Sequence, residues 1–483
     1  MFELRRNLSA ITKQCLQEKF AVSTDVHFDV PVDSTKGDLT TSVALQLAKK
    51  LGKSPRDVAA VLAEAVGGAE GVAKAEVAGA GYVNITVTPQ ALVGALAEAW
   101  QQCDPKAKRP GAPVIVEYSQ PNIAKPLGIH HILSTVIGQT LSNLYQFQGY
   151  PTLNWNYIGD WGTQFGKLSV AFQKWGTKPP SQCSLDDLLA LYVKFHEEAE
   201  KHPALEDAGR HAFRRLEQGD AELRTFREEV VKVTKQSLGG IYERLHVKFD
   251  LDLGESFYED KMAPVLEEGK KKKVFTEGEG GALIVQFAEE TKMPPYMVLK
   301  GDGATLYSTR DIAQMRYRID TYHPQAILIC TDVAQQLHFQ QLAATCKLLG
   351  WDLPPFENVI FGRMRFIDRK MSTRKGNILK LEHVLDEAVS RAQEIIKERG
   401  DAIQTDSPEA LAEMMGTGAL VYGILSQNRK MDIVFDWEKM LSFEGNSAPY
   451  LQYTHTRTHS ILRKAERSEF SVPKTFSGEI GEK

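Results

Sequence analysis

The spacing of apolar positions changes along the chain, and the changes divide it into regions. In TTSVALQLAKKLGKSPRDVAAVLAEAV, Val43, Leu47 and Leu51 recur at helical spacing, with Lys49 and Lys50 near the polar face. Lys53-Ser54-Pro55 breaks this helix; Ser54 suits an N-cap and Pro55 the first position of a second helix. GYVNITVTP alternates apolar with polar residues, which predicts a strand ended by Pro89. Residues 1–105 thus read as a small α+β domain, followed by a linker from Lys106 to Pro113.

Beyond the linker, strands, loops and helices alternate. Val114-Ile115-Val116 predicts a strand, followed by a loop holding Pro121, Pro126 and Gly128. Ile132, Leu133, Val136, Ile137, Leu141, Leu144 and Tyr145 then trace one face of a helix that runs to Gln148, with Gly149 as its cap. Leu153 to Tyr157 predicts the next strand. From about Lys167 to Tyr296 the pattern is helical and heavily charged, and it ends in glycine- and proline-containing stretches. Strand, helix and strand return at Ala326–Cys330, Leu337–Leu349 and Val359–Phe361. An open α/β parallel sheet interrupted by a helical insertion fits this order, with ligands at the carboxyl ends of the strands. From Ser407 onward the pattern predicts helices only, with Met414, Leu420, Leu425, Met440, Leu451 and Leu462 as apolar positions.

Composition narrows the class. A chain of 483 residues is too long for one core and suits about three domains. The formal charge of −4 excludes a histone-like binder of nucleic acid and leaves room for a local basic face. The N-terminus has no apolar signal region, and no stretch approaches the roughly 18 apolar residues of a membrane helix. Five scattered cysteines without a C-x-x-C argue against a disulfide framework or structural zinc and for a reducing cytoplasm.

Three constellations carry candidate chemistry. In VEYSQPNIAKPLGIHH, His130 and His131 stand at a helix N-terminus, where free N–H groups and the dipole favour an anion. Lys125, Pro126 and Gly128 in the same strand-to-helix loop favour phosphate binding over simple capping. In KMSTRKGN, the cations Lys370, Arg374 and Lys375 with Ser372 and Thr373 suit a polyphosphate whose charge rises during reaction; a solvated basic loop is the alternative. Glu117, Tyr307 and Asp311, with Asn122 and Gln335, would together accept a guanidinium fork if they converge. For Asp311 a second role stays open: Ser308 or Thr309 caps a helix and leaves Asp311 in its first turn.

VEYSQPNIAKP, GDWGTQFG, LYSTRDIA, LHFQQL, KMSTRKGN and LSFEGNSAPYLQYTHTR together resemble the arginyl-tRNA synthetases, a branch of the class I aminoacyl-tRNA synthetases, over nearly the whole length. The resemblance implies an N-terminal domain over 1–105 that binds the tRNA elbow. It implies a Rossmann-like catalytic domain over 106–400 with its insertion at about 167–296, then the start of a helical anticodon-binding domain over 401–483. The family normally continues beyond this point, so the chain is expected to be a truncated form. The implied reaction is ATP-dependent ligation of L-arginine to tRNA(Arg) through an arginyl-adenylate, releasing AMP and pyrophosphate. Mg2+ would accompany ATP without a protein metal site, in a cytoplasmic monomer that does not engage membranes. A synthetase-like tRNA-binding protein with weakened catalysis is the alternative.

Residue roles follow from the resemblance. It assigns catalysis to His130, His131 and Lys370, and ATP binding to Lys125, Gly128, Met371, Ser372, Arg374 and Lys375. It assigns arginine to Glu117, Asn122, Tyr307, Asp311 and Gln335, and tRNA to Asn84, Tyr450, Tyr453 and Arg457, with Lys49 and Lys50 as phosphate candidates. Packing between helices is the alternative for Tyr450 and Tyr453. One departure stands out: the family's His-x-Gly-His reads Gly128-Ile129-His130-His131 here, and His130 is expected to take over the missing imidazole's phosphate contact.

Overall fold

The computed structural model describes residues 2–31, 33–102, 105–366, 379–400 and 403–465. Its contacts separate two units, one up to Pro105 and one spanning Lys106–Ala465. No helix among the described residues is long and apolar enough to cross a membrane.

The first unit runs α1 (Phe2–Phe20), β1 (Leu39–Thr41), α2 (Val43–Leu51), α3 (Pro55–Gly67), β2 (Val72–Ala78), β3 (Tyr82–Val87) and α4 (Pro89–Gln102). The strands form an antiparallel sheet in the order β1-β3-β2. Leu8, Leu16, Leu39, Leu62, Val66 and Ile85 fill the core, and burying such side chains stabilises by about 1.5–3 kcal/mol each. Along α2, Val43 and Leu47 face inward while Lys49 and Lys50 are exposed in the last turn. Ser54 is the N-cap residue of α3 and Pro55 its first residue, where a missing N–H costs nothing.

The second unit is built on β4 (Val114–Glu117), α5 (His131–Phe147) and β5 (Thr152–Trp155). An insertion follows: α6 (Thr163–Trp175), α7 (Leu185–Lys201), α8 (Ala204–Glu217), α9 (Ala221–Arg244), α10 (Met262–Lys271), β6 (Phe275–Glu277), β7 (Leu283–Val285) and β8 (Tyr296–Leu299). The sheet then resumes with α11 (Tyr307–Tyr322), β9 (Ala326–Asp332), α12 (Gln336–Leu348) and β10 (Phe356–Phe361). Last come β11 (Met364–Phe366), α13 (Leu381–Arg399), α14 (Pro408–Leu425), β12 (Ile433–Phe435), α15 (Trp437–Met440) and α16 (Ala448–Lys464).

The central sheet is parallel in the order β10-β9-β4-β5. The connections from β4 and from β9 leave in opposite directions, so the switch point lies between these two strands, where open α/β sheets hold ligands. Every residue of β4 is buried, as expected for a strand covered on both faces. On α5, Ile132, Leu133, Val136 and Ile137 face the core, whereas Leu144 is exposed. A β-carbon at Gly138 would come within 2.2 Å of Tyr118, so glycine lets α5 lie against the end of β4. Gln148 caps α5 and Gly149 follows in the left-handed region at φ +85°.

Two expectations need correction. The insertion does not end in helix and loop alone: β6, β7 and β8 form a small antiparallel sheet whose Phe275, Val285, Tyr296 and Val298 pack into the core shared with α10 and α11. The C-terminal part is not wholly helical, because β12 pairs in parallel with β11 and buries Ile433 and Phe435. These strands of three or four residues are too short to display an alternation. Leu420 and Met440 are buried as predicted, while Met414, Leu425 and Leu451 are exposed.

Candidate active site

The loop after β4 leaves the sheet under backbone strain: Ser119, Gln120 and Ala124 all have φ between 56° and 74°. Such conformations cost about 1–3 kcal/mol each and persist where the surroundings fix them. Here the Asn122–Gly159 bridge ties this loop to the GDWGTQFG segment, and Ile123 N–H donates to the Gly159 carbonyl at 3.2 Å. A β-carbon on Gly159 would meet Asn122 Oδ1 at 2.7 Å, so the close approach needs glycine. Asp160 beside it accepts from Ser256 N–H at 2.9 Å and pairs with Arg227, which fastens the segment leading into α10.

These connections enclose a cavity of about 470 Å³ at the carboxyl ends of β4 and β9. Glu117, Asn122, Tyr307, Asp311 and Gln335 all line it, although the first and last lie more than two hundred residues apart in the chain. Glu255, Tyr157, Gln314 and His338 line it too, and sequence reasoning did not single them out. His338 was within reach, standing three residues after Gln335 in LHFQQL. Nothing local marks Glu255.

The carboxylates are not equivalent. Glu117 is buried against the Arg318 guanidinium and accepts from Gln120 Nε2 at 2.6 Å, so its charge is already matched. Arg318 in turn lies 4.4 Å from the centre of the Trp155 ring. Asp311 accepts from His338 Nε2 at 2.7 Å, and His338 Nδ1 lies 3.0 Å from the Tyr296 hydroxyl. Burial pushes the Tyr296 phenol far above its ordinary range, so it stays protonated beside the ring. Burial also pushes Glu255 up to about 7, against Arg310 and with help from the Asp311 charge. Among the described residues neither Asp311 nor Glu255 forms a salt bridge with a Lys or Arg side chain.

Asp311 is not in a first helical turn. α11 begins at Tyr307, and Ser308 and Thr309 lie inside it, with their hydroxyls donating to the Met297 and Val298 carbonyls of β8. The first turn carries no acidic residue, which removes the capping role considered for Asp311.

At the neighbouring helix terminus, His130 occupies the N-cap position of α5 and His131 its first residue. Their rings lie 4.0 Å apart, centre to centre. The Gly128 carbonyl accepts from His131 N–H at 2.9 Å, and the Gly128 N–H lies 3.0 Å from His131 Nδ1. Nδ1 also lies 3.2 Å from the Gly128 carbonyl, so both polar groups of Gly128 hold this side of the ring and Nε2 is the nitrogen left over. Burial first, then the His130 charge, pushes the His131 imidazole down to about 4, so it is neutral near pH 7. The Lys125 ammonium lies 4.7 Å from the centre of the Tyr192 ring on α7, and burial lowers its pKa.

Lys370, Met371, Ser372, Arg374 and Lys375 lie outside the described residues. The chain re-enters beside the histidine loop: Ile129 N–H donates to the Leu379 carbonyl at 2.9 Å, and Leu381 N–H to the Leu127 carbonyl at 2.8 Å. Lys380 pairs with Asp186 of α7 at 2.6 Å. Among the described residues no three His, Cys, Asp or Glu side chains cluster as a metal site.

The expected RNA contacts divide. Asn84 is only 6% exposed, and its Oδ1 accepts from Thr40 Oγ1 at 2.7 Å, so it is a cross-strand link and not an open surface group. Tyr450 and Tyr453 are both well exposed on α16, which excludes core packing among the described residues. Arg457 is exposed and donates to the Tyr453 hydroxyl at 2.9 Å.

Residues 93–437 match the family model described as tRNA synthetases class I (R), catalytic domain, and residues 3–87 match the Arginyl tRNA synthetase N terminal domain. The arginine–tRNA ligase of Fusobacterium nucleatum is 39% identical over 440 residues, covering 91% of this chain and 77% of that protein. That of Clostridium perfringens is 39% identical over 455 residues, covering 93% of this chain and 79% of that protein. Among solved structures, Thermus thermophilus arginyl-tRNA synthetase superimposes with a TM-score of 0.69 at 25% identity, over 97% of this chain and 83% of that one. The Plasmodium falciparum enzyme shares the fold, with a TM-score of 0.73 at 22% identity over 96% and 81% of the two chains.

Proposed function

The chain belongs to the arginyl-tRNA synthetases of class I, and we propose that the cavity around Asp311 is where it takes L-arginine. As a member of that family it uses ATP to ligate arginine to tRNA through an arginyl-adenylate, with release of AMP and pyrophosphate. The observation that carries the assignment of the cavity is its charge: two carboxylates, Asp311 and Glu255, that form no salt bridge with a Lys or Arg among the described residues, beside a third already paired with Arg318. A guanidinium supplies both the charge and the planar donors that such acceptors need. Tyr307 stands at the rim, exposed, where its ring can lie along the substrate's stem, and Asn122 and Gln335 offer amides to the polar end.

Adenylate formation needs no nucleophile from the protein. The arginine carboxylate attacks the α-phosphate, and pyrophosphate departs with its bonding electrons. The protein's part is to hold the two substrates together and match the growing phosphate charge. The ring of His131, through its Nε2, and His130 at the same helix terminus are the proposed phosphate partners; the His131 and Ile132 N–H groups are themselves taken by the Gly128 and Ile129 carbonyls. Lys370, with Met371, Ser372, Arg374 and Lys375, is proposed to act on the departing pyrophosphate. Lys125 and Gly128 complete the proposed ATP site, and Mg2+ would be held mainly by phosphates and water. Rejection of shorter or neutral amino acids follows from leaving buried carboxylates unpaired, worth roughly 10⁴–10⁵ in discrimination.

For the tRNA, the proposed surfaces are Lys49 and Lys50 on the first unit, and Tyr450, Tyr453 and Arg457 on α16, where rings stack on bases and cations meet phosphates. A monomeric, cytoplasmic enzyme with elbow-binding, catalytic and helical regions over 1–105, 106–400 and from 401 onward completes the reading. Asp311→Asn tests the central assignment. Arginine's KM is expected to rise roughly tenfold or more with ATP's unchanged, because a charge-assisted bond is weakened while shape is kept. An unchanged arginine KM would place the guanidinium elsewhere.

A further inference from the structure

The guanidinium site has a support behind it. Asp311 is 8% exposed and is held on one side by His338 Nε2 at 2.7 Å. His338 is held in turn, since its Nδ1 meets the Tyr296 hydroxyl at 3.0 Å and the Tyr307 ring lies 4.9 Å from its own, centre to centre. A carboxylate accepts from Nε2–H, while Nδ1 faces the Tyr296 hydroxyl, a group able to donate or accept. Both ring nitrogens of His338 are therefore engaged, one by Tyr296 and the other by Asp311. Tyr296 belongs to β8, His338 to α12 and Asp311 to α11, so the chain of bonds links three elements around the cavity.

We propose that His338 is a positioning residue for arginine selection: acting through Asp311, it fixes the plane of that carboxylate and occupies one lone pair of Oδ2, leaving Oδ1 and the rest of Oδ2 for the guanidinium. An aspartate free to turn about its last bond would meet a planar fork in many orientations. One held from behind by a locked imidazole presents a single orientation, and the ordering cost falls on folding and not on binding. Tyr296 holds the far side of the ring. This inference rests on the reading of Asp311 as the guanidinium acceptor.

The test is ATP–pyrophosphate exchange by the full chain with tRNA present, measured for His338→Phe, His338→Gln, Tyr296→Phe and Asp311→Asn. His338→Phe keeps a ring against Tyr307 but loses the donor, and is expected to raise arginine's KM roughly tenfold, with ATP's KM and the saturated rate near those of the parent. His338→Gln puts an amide N–H at the reach of Nε2 and should restore most of the loss. Tyr296→Phe should give a smaller rise that vanishes in the His338→Phe background, as expected for two links of one chain. If Asp311→Asn raises arginine's KM and His338→Phe does not, the positioning role is wrong and the guanidinium site stands. If neither substitution moves it, the assignment of Asp311 itself fails. If Gln is no better than Phe, His338 merely packs.

Discussion

Glu117 and Arg318 form an ion pair whose side chains are 2% and 0% exposed, at the end of the first strand of the sheet. Among the described residues Arg318 Nε and Nη1 have no hydrogen-bond partner, so Glu117 and the Trp155 ring are what offset its charge. Glu117 thus serves the floor of the cavity before it serves any substrate. Removing one partner of such a pair strands a buried charge, which costs about 3–5 kcal/mol, whereas removing both is often neutral. Glu117→Gln is expected to lower the unfolding free energy from denaturant titration by that much, with a matching fall in midpoint, and Glu117→Gln with Arg318→Met to recover most of it. An unchanged midpoint for the single variant would mean that Arg318 finds other solvation.

Glu255 predicts a pH dependence. Its carboxyl, pushed up to about 7 by burial first, is partly protonated near neutrality. An arriving guanidinium favours the ionised form, so arginine binding releases a proton and weakens as pH falls from about 8 to about 6. The effect on folding has the opposite sense: the native state binds this proton more tightly than the unfolded chain, so the contribution to stability grows as pH falls from about 7 towards 4.5. Glu255→Gln should raise arginine's KM at high pH and flatten its pH profile. A profile unchanged by the substitution would assign the titration to another group.

Legibility in the sequence followed the length and period of each signal. α5 was readable because its apolar residues hold helical spacing over four turns, and β4 and β9 because buried parallel strands begin as unbroken apolar runs. β12 and the strands of the small sheet offer three or four residues each, too few to show a period. The cavity residues came from motif resemblance, and no spacing rule could show that Glu117 and Gln335 meet. The pairing of Glu117 with Arg318, separated by 201 positions, leaves no local trace. The resemblance assigns Asn84 to tRNA contact, yet β3 is the central strand and Thr40 of β1 covers its amide.

The histidine pair tests the altered signature. His131→Ala is expected to lower the rate of adenylate formation by about 10²–10³, the cost of one preorganised donor to a developing charge. His130→Ala should lose a comparable factor if it replaces the imidazole absent at Gly128, and little if the pair is merely adjacent. A stability effect accompanies this. Because the His131 imidazole is pushed down to about 4, the unfolded chain takes up its proton first, and stability is lost as pH falls from 6.5 towards 4. His131→Ala should remove that slope between these limits in acid-unfolding measurements.

The last prediction separates two lysine groups that look alike in the sequence. Lys49 and Lys50 are exposed at the C-terminal end of α2 and show no ion pair among the described residues, so both charges are open to phosphate. Lys272, in the run from Lys270 to Lys273, pairs with Glu268 at 2.7 Å, and the run closes α10 as a solvated turn. Each lysine that meets a phosphate releases counterions when RNA binds, so replacing it weakens binding and lowers the salt slope by roughly one. Lys49→Ala with Lys50→Ala should therefore lower the slope of tRNA affinity against salt by about two, with arginine's KM unchanged. Lys270→Ala with Lys271→Ala should leave the slope as it was. If the two double variants behave alike in a binding titration over a salt series, the face of α2 is only a solvated surface and the tRNA meets the first unit elsewhere.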